Sequence, residues 1–275
     1  DPGRSERHAC AVVTEVGRNV MAPVLILGIE SSCDETSCSV VSSGRTILSN
    51  VIASQADFHS AYGGVVPELA SRMHVDAIVP TIRKAMTDAS VDYKDLSAVC
   101  VTKGPGLVGA LLVGISAAKG ISEITGLPLI GIGHIEGHNS ANYPADPALL
   151  PPFMCLVVSG GHSHIVYVKD YGSYEIMART RDDAAGEAFD KISRAIGLGY
   201  PGGPKMDKES LGGDPHRYSF PRTNFTNSLD FSFSGVKTAA LNLINQAAMH
   251  NEEIARPDFC ASYQNAIVQV LVDHT

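Results

Sequence analysis

The sequence has no CxxC pair and no framework spacing among its six cysteines, Cys10, Cys33, Cys38, Cys100, Cys155 and Cys260. That excludes a disulfide-stapled secreted scaffold and fits reduced, mostly buried thiols in a cytoplasmic protein. No run reaches the ~20 apolar residues of a membrane helix. The first twenty residues also lack the long apolar core of a secretion signal. They read as a disordered leader or an expression remnant, and Glu6 and Glu15 argue against a transit peptide. Positive charge is scarce too: 21 Lys and Arg face 29 Asp and Glu, a formal net charge of −8. Such a chain does not grip nucleic acid by bulk charge, which leaves a local basic patch or a partner subunit to do so.

What is present is an ordinary globular composition, 44% apolar and 18% charged with 26 glycines, in 275 residues. That length allows two domains with separate cores. Residues 24–29 form an apolar run, followed by the polar turn Glu30–Thr36, the alternating 37–41 segment and 46–54. Three antiparallel strands are the economical reading. Residues 67–90 predict a helix with a stripe of Leu69, Met73, Ile78, Ile82 and Met86, kinked or split at Pro80. A strand over 96–102, a turn at Lys103–Gly106, a small-residue helix over 107–125 capped by Gly126, and a buried strand over 127–132 complete an α/β unit.

A Pro-rich connection over 143–152 precedes a restart of the pattern. Strands are expected at 153–158, 164–169 and 174–179, and helices at 182–197, 205–212, 234–250 and 258–274. The 27–41 and 156–168 stretches share one layout, which suggests a weak internal duplication. On that basis the second copy lacks two strands before Thr275.

Two motifs point to chemistry. His134 and His138 are four apart, so on a helix both rings can face one metal ion, at the carboxyl edge of a buried strand. Two ligands make half a site. Glu136 points about 160° away from His134 on that helix, the wrong register for a zinc-peptidase base. Val157, Val158, Ser159, Gly160 and Gly161 form a strand and a bare turn whose backbone N–H groups suit phosphate. The opposing turn carries Glu30, Asp34 and Glu35, which would repel phosphate unless a cation intervened. Gly203 can admit a ribose or base, and Asp190 or Asp207 can accept hydrogen bonds from sugar hydroxyls.

GIESSCDETS (28–37), TKGPGLVGALLVG (102–114), HIEGH (134–138), VVSGGHS (157–163), AAGEAFDK (184–191), GYPGGP (199–204) and FSFSGVKTA (231–239) resemble the tRNA N6-adenosine threonylcarbamoyltransferase family. That family was formerly labelled O-sialoglycoprotein endopeptidase or glycoprotease. The resemblance, over 21–275, implies an α/β fold like that of actin, Hsp70 and the sugar kinases (ASKHA). Two duplicated ribonuclease-H-like lobes would occupy 21–145 and 146–275, the second incomplete. It implies transfer of threonylcarbamoyl from threonylcarbamoyl-AMP to N6 of the tRNA adenosine 3′ of the anticodon. It makes His134 and His138 ligands of one divalent metal ion, iron foremost and zinc as the alternative. Val157 to Gly161, Asp190, Gly203 and Asp207 become adenylate contacts. A paralogous two-lobed subunit and a small ATPase are the implied partners, with no membrane. The family pattern continues to a Gly-Gly-Val-Ala-Ala-Asn stretch and an aspartate ligand, neither of which occurs before Thr275. A metallopeptidase and a non-catalytic nucleotide-binding scaffold are the rival readings.

Overall fold

The computed structural model describes residues 22–223, 225 and 227–275; the proposed leader, 1–20, lies outside them. The first sheet is built from β1 (Leu25–Glu30), β2 (Glu35–Ser42), β3 (Thr46–Ser54), β4 (Ala98–Gly104) and β5 (Leu129–Gly133). Its order is β3-β2-β1-β4-β5. The hairpin partners are antiparallel, with Leu27 opposite Val40, whereas β4 and β5 join in parallel. Parallel neighbours need crossovers. Two helices provide them, α2 (Pro67–Ala89), which follows the short α1 (Ala56–Ser60), and α3 (Val108–Thr125).

Both long helices pack on one face of this sheet, over a core of Leu27, Ile29, Val40, Ile78, Ile82, Val99 and Val101. α2 runs unbroken through Pro80, which is exposed. The expected stripe is displaced: the buried positions are Ala70, His74, Ile78, Thr81, Ile82, Ala85 and Met86, so an imidazole replaces Met73 at the sheet. α3 is apolar enough over 18 residues to pass for a membrane span by composition. Its buried positions, Ala110, Leu111, Gly114 and Ala118, are mostly small, which allows close approach to the sheet. β5 is not the buried strand expected. It is the edge of the sheet, and Leu129 and Ile130 are 37% and 41% exposed.

From β5 the chain enters α4 (His134–Ser140) and α5 (Asn142–Ala145), then the second sheet of β6 (Phe153–Val158), β7 (Ser163–Asp170) and β8 (Ser173–Arg179). These three strands are antiparallel in the order β6-β7-β8. α4 lies between the sheets, touching β4, β5 and β6. Its Ile135 joins Cys155, Val157, Val166 and Val168 in a small joint core.

The second main core is aromatic. Phe220, Phe231, Phe233, Phe259 and Tyr263 pack with Ile165, Ile192 and Met206 among α6 (Ala185–Ala195), α7 (Gly202–Glu209), α8 (Ser234–His250) and α9 (Arg256–His274). α6 starts three residues later than expected because Asp182 and Asp183 are used elsewhere. Asp182 caps α8, accepting the N–H groups of Phe233 (2.8 Å) and Ser234 (3.2 Å) and the hydroxyls of Ser232 and Ser234. Asp183 sits between Lys191 (2.7 Å) and Lys237. Those contacts tie the 184–191 motif to the 231–239 motif.

Candidate functional site

The two sheets present equivalent hairpin turns to a common cleft of about 570 Å³. The first turn follows β1. Glu30, the last residue of that strand, accepts the Ser32 N–H at one carboxylate oxygen and the Thr102 hydroxyl (2.6 Å) at the other. Burial alone would raise its pKa, but hydrogen bonds from His134, Ser32 and Thr102 hold it at about 2. Ser31 and Ser32 are buried under α3 and the turn that leads into it. A Cβ at Gly106 would lie 2.6 Å from the Ser32 carbonyl, so only glycine fits there. On the far side of the turn His74, fully buried, bridges the Thr36 hydroxyl at Nδ1 (2.7 Å) and the Cys33 carbonyl at Nε2 (3.0 Å). Since a carbonyl only accepts, Nε2 carries the proton and Nδ1 accepts from Thr36. The Cys33 thiol, at an exposed position beside Asp34, is pushed up to about 12 by partial desolvation and by that carboxylate, and is not a nucleophile at neutral pH.

α4 brings the two predicted histidines together. His134 Nε2 and His138 Nε2 are 3.1 Å apart, with ring centroids at 4.5 Å. Burial, reinforced by the neighbouring His134, lowers the pKa of His138, so the ring stays neutral and able to ligate. Glu136 turns back to its own helix terminus, where Oε2 accepts the Gly133 N–H at 3.3 Å.

The second turn, Ser159–His162, follows β6. His162 approaches His134 with ring centroids 5.5 Å apart, so the hairpin of one lobe meets the histidine pair of the other. The Ser159 hydroxyl oxygen accepts the N–H groups of Gly161 (3.4 Å) and His162 (3.1 Å), while its carbonyl accepts that of Gly186 (3.2 Å). α6 comes this close because residue 186 is glycine: a Cβ there would sit 2.7 Å from the Ser159 carbonyl. Gly160 and Gly161 have open space where a side chain would stand. Asp190, with a pKa raised by burial, lines the cleft and gives one oxygen to the Gly202 N–H at 2.6 Å. Tyr200 is pushed up to about 12 by burial and by Asp34 and Asp190. At the mouth Arg194 donates to the Gly63 carbonyl at 2.5 Å, joining α6 to the loop before α2. Buried His59 shapes that loop, accepting the Val66 N–H at Nδ1 (3.3 Å).

A model of the family described as tRNA N6-adenosine threonylcarbamoyltransferase matches residues 46–275. The protein of that name from Clostridium botulinum (strain Hall) is 59% identical over 251 residues, covering 91% of this chain and 74% of that protein. The one from Clostridium novyi is 58% identical over 253 residues, with the same coverage. This chain belongs to the tRNA N6-adenosine threonylcarbamoyltransferase family. Among solved structures, component A of the (R)-2-hydroxyglutaryl-CoA dehydratase of Acidaminococcus fermentans superposes with a TM-score of 0.51. It has 11% identity and covers 91% of this chain and 76% of that one. That likeness speaks for the two-lobed ASKHA fold alone.

Within this threonylcarbamoyltransferase-family chain, the structure gathers His134, His138, Ser159, Gly160, Gly161 and Asp190 around one cleft. Val157 is not there: its side chain is in the joint core, while Val158 is 42% exposed. Gly203 lies in α7, outside the cleft lining, and the close approach belongs to its neighbour, since a Cβ at Gly202 would meet Asp190 at 2.6 Å. Asp207 accepts the Gln264 amide at 3.0 Å, also outside that lining. The bare turn is less free than its glycines suggest, because the Ser159 hydroxyl holds two of its N–H groups. Sequence reasoning missed His74, His162 and the orientation of Glu30. The available signal for Glu30 was a carboxylate ending a strand beside the helix that carries the histidine pair.

Proposed function

We propose that this chain transfers threonylcarbamoyl from threonylcarbamoyl-AMP to N6 of the adenosine 3′ of the anticodon in tRNA, with one divalent metal ion held by His134 and His138. The observation that carries this reading is the meeting of the His134–His138 pair with the Ser159–His162 turn in one cleft. The pair fits a metal. Two imidazole nitrogens converge at 3.1 Å, a donor set suited to iron or zinc. Among the described residues no group of three or more His, Cys, Asp or Glu side chains is arranged to hold an ion, so the pair supplies two ligands of a larger set. Family resemblance favours iron.

In the reaction the exocyclic amine attacks the carbamoyl carbon, a C–N bond forms, the C–O bond to phosphate breaks, and AMP and a proton leave. A bound divalent ion would stabilise negative charge on the carbamoyl and phosphate oxygens. The chain's own part is positioning. The Gly160–Gly161 turn gives the phosphate room at the backbone, and Asp190 keeps one carboxylate oxygen for a sugar hydroxyl. Glu30 at about pKa 2 is too weak a base to take the amine proton. AMP is a good leaving group, and no residue is assigned that role. With a net charge of −8, tRNA capture falls to partners, a paralogous two-lobed subunit and a small ATPase, in the cytoplasm.

The test incubates the protein with tRNA, threonylcarbamoyl-AMP and those partners, then analyses the nucleosides by mass spectrometry. Metal-dependent appearance of threonylcarbamoyladenosine, lost in His138→Ala, supports the reading. Equal turnover by that variant overturns the metal assignment, and adenylate binding without transfer favours a scaffold. The peptidase reading loses its base because Glu136 is committed to Gly133.

A further inference from the structure

Glu30 stands on the opposite edge of the His134 ring from His138. Its Oε2 is 3.3 Å from His134 Nδ1, while His134 Nε2 faces His138 Nε2 at 3.1 Å. The carboxylate is itself held in place by the Thr102 hydroxyl of β4 and the Ser32 N–H. The Ser32 hydroxyl oxygen lies 3.2 Å from the same Nδ1. An ionised carboxylate can only accept, so Nδ1 must be the protonated nitrogen. In the neutral ring that leaves the Nε2 lone pair directed at His138. Because Glu30 and His138 meet opposite edges of the ring, Glu30 does not share the ion's first coordination sphere through this face.

We propose that Glu30 is the positioning residue of the metal site: it fixes the Nδ1–H tautomer and the ring plane of His134 before any ion arrives. Carboxylates hydrogen-bonded to ligand histidines act this way in metal sites generally, and their removal costs about 10- to 100-fold in metal affinity. The inference rests on the metal reading above and adds to it a role for a carboxylate in the wall of the cleft. It also explains the link from β4 to α4: Thr102 holds Glu30, and Glu30 holds His134.

The test uses the chelator-stripped protein with Co(II) as probe, comparing wild type, Glu30→Gln, Glu30→Ala and His138→Ala, each checked for fold by circular dichroism. Co(II) affinity is read from the visible d–d band, and the His134 tautomer from long-range 1H–15N spectra of the metal-free protein. The expected result is Nδ1–H in wild type, and a mixture or Nε2–H in Glu30→Ala. Both Glu30 variants should bind Co(II) about 10- to 100-fold more weakly at unchanged stoichiometry, and His138→Ala should lose the band. A merely structural role would leave the tautomer unchanged. Wild-type His134 found as Nε2–H, or Glu30 variants with wild-type affinity beside a His138→Ala that has lost it, overturns this inference alone. Wild-type binding in His138→Ala overturns the metal reading, and this one with it.

Discussion

The two hairpins at the cleft share a layout and differ in what holds their turns. In β1–turn–β2 the turn is anchored, besides the local bond from the Ser32 N–H to Glu30, by distant groups: Thr102 from β4, His74 from α2, and the press of Gly106. In β6–turn–β7 it is anchored locally, by the Ser159 hydroxyl on its own neighbours, plus the α6 backbone at Gly186. One turn therefore delivers charge and holds the His134 ring; the other delivers backbone and empty space. Two similar hairpins divide the labour of one cleft, and the side that presents fixed side chains is the side with long-range supports.

The sharpest break of that comparison is His138→Ala, which removes one of the two proposed metal ligands without touching either turn. Transfer should fall at least about 100-fold, with the melting temperature nearly unchanged, as read by nucleoside analysis and thermal denaturation. Next is Asp183→Asn, which strips the charge between Lys191 and Lys237 and should cost about 3 kcal/mol in denaturant titration. Burial would raise the Asp183 pKa, but the two lysines hold it below the usual carboxylate range. Its contribution is therefore complete above the unfolded value of about 3.9 and is lost as pH falls through the folded value. The stability gap between wild type and Asp183→Asn should be widest above pH ~4 and shrink below it.

His74→Leu tests the long-range support of the first turn. It leaves the Thr36 hydroxyl and the Cys33 carbonyl without their partner and should cost about 2 kcal/mol. The local support of the second turn should matter less. Ser159→Ala is expected to cost about 1 kcal/mol and to change AMP affinity by less than about 10-fold, measured by calorimetry. If Ser159→Ala proves the more damaging of the two, the contrast between distant and local anchoring fails.

Much of this was legible in the chain. The spacing of His134 and His138 gave their common face, and the restart after the Pro-rich connection gave two similar hairpins. The rest depends on partners far apart in sequence. His74 reads as a polar interruption of an amphipathic stripe until Thr36 is known to lie against it. Asp182 and Asp183 look like the first turn of α6 until Ser232, Ser234 and Lys237 arrive some fifty residues later. β5 has the composition of a central strand, and only strand order makes it an edge. Asp190 looked like a free carboxylate for a sugar, whereas half of it serves the start of α7.

The tie from Arg194 to Gly63 has a kinetic consequence. A single exposed hydrogen bond contributes about 1 kcal/mol, so that bond by itself leaves the entrance open in roughly one molecule in six at room temperature. A small nucleotide meets little delay there. On the reaction proposed above, an anticodon loop entering by this mouth would have to break that bond before its base could reach the cleft.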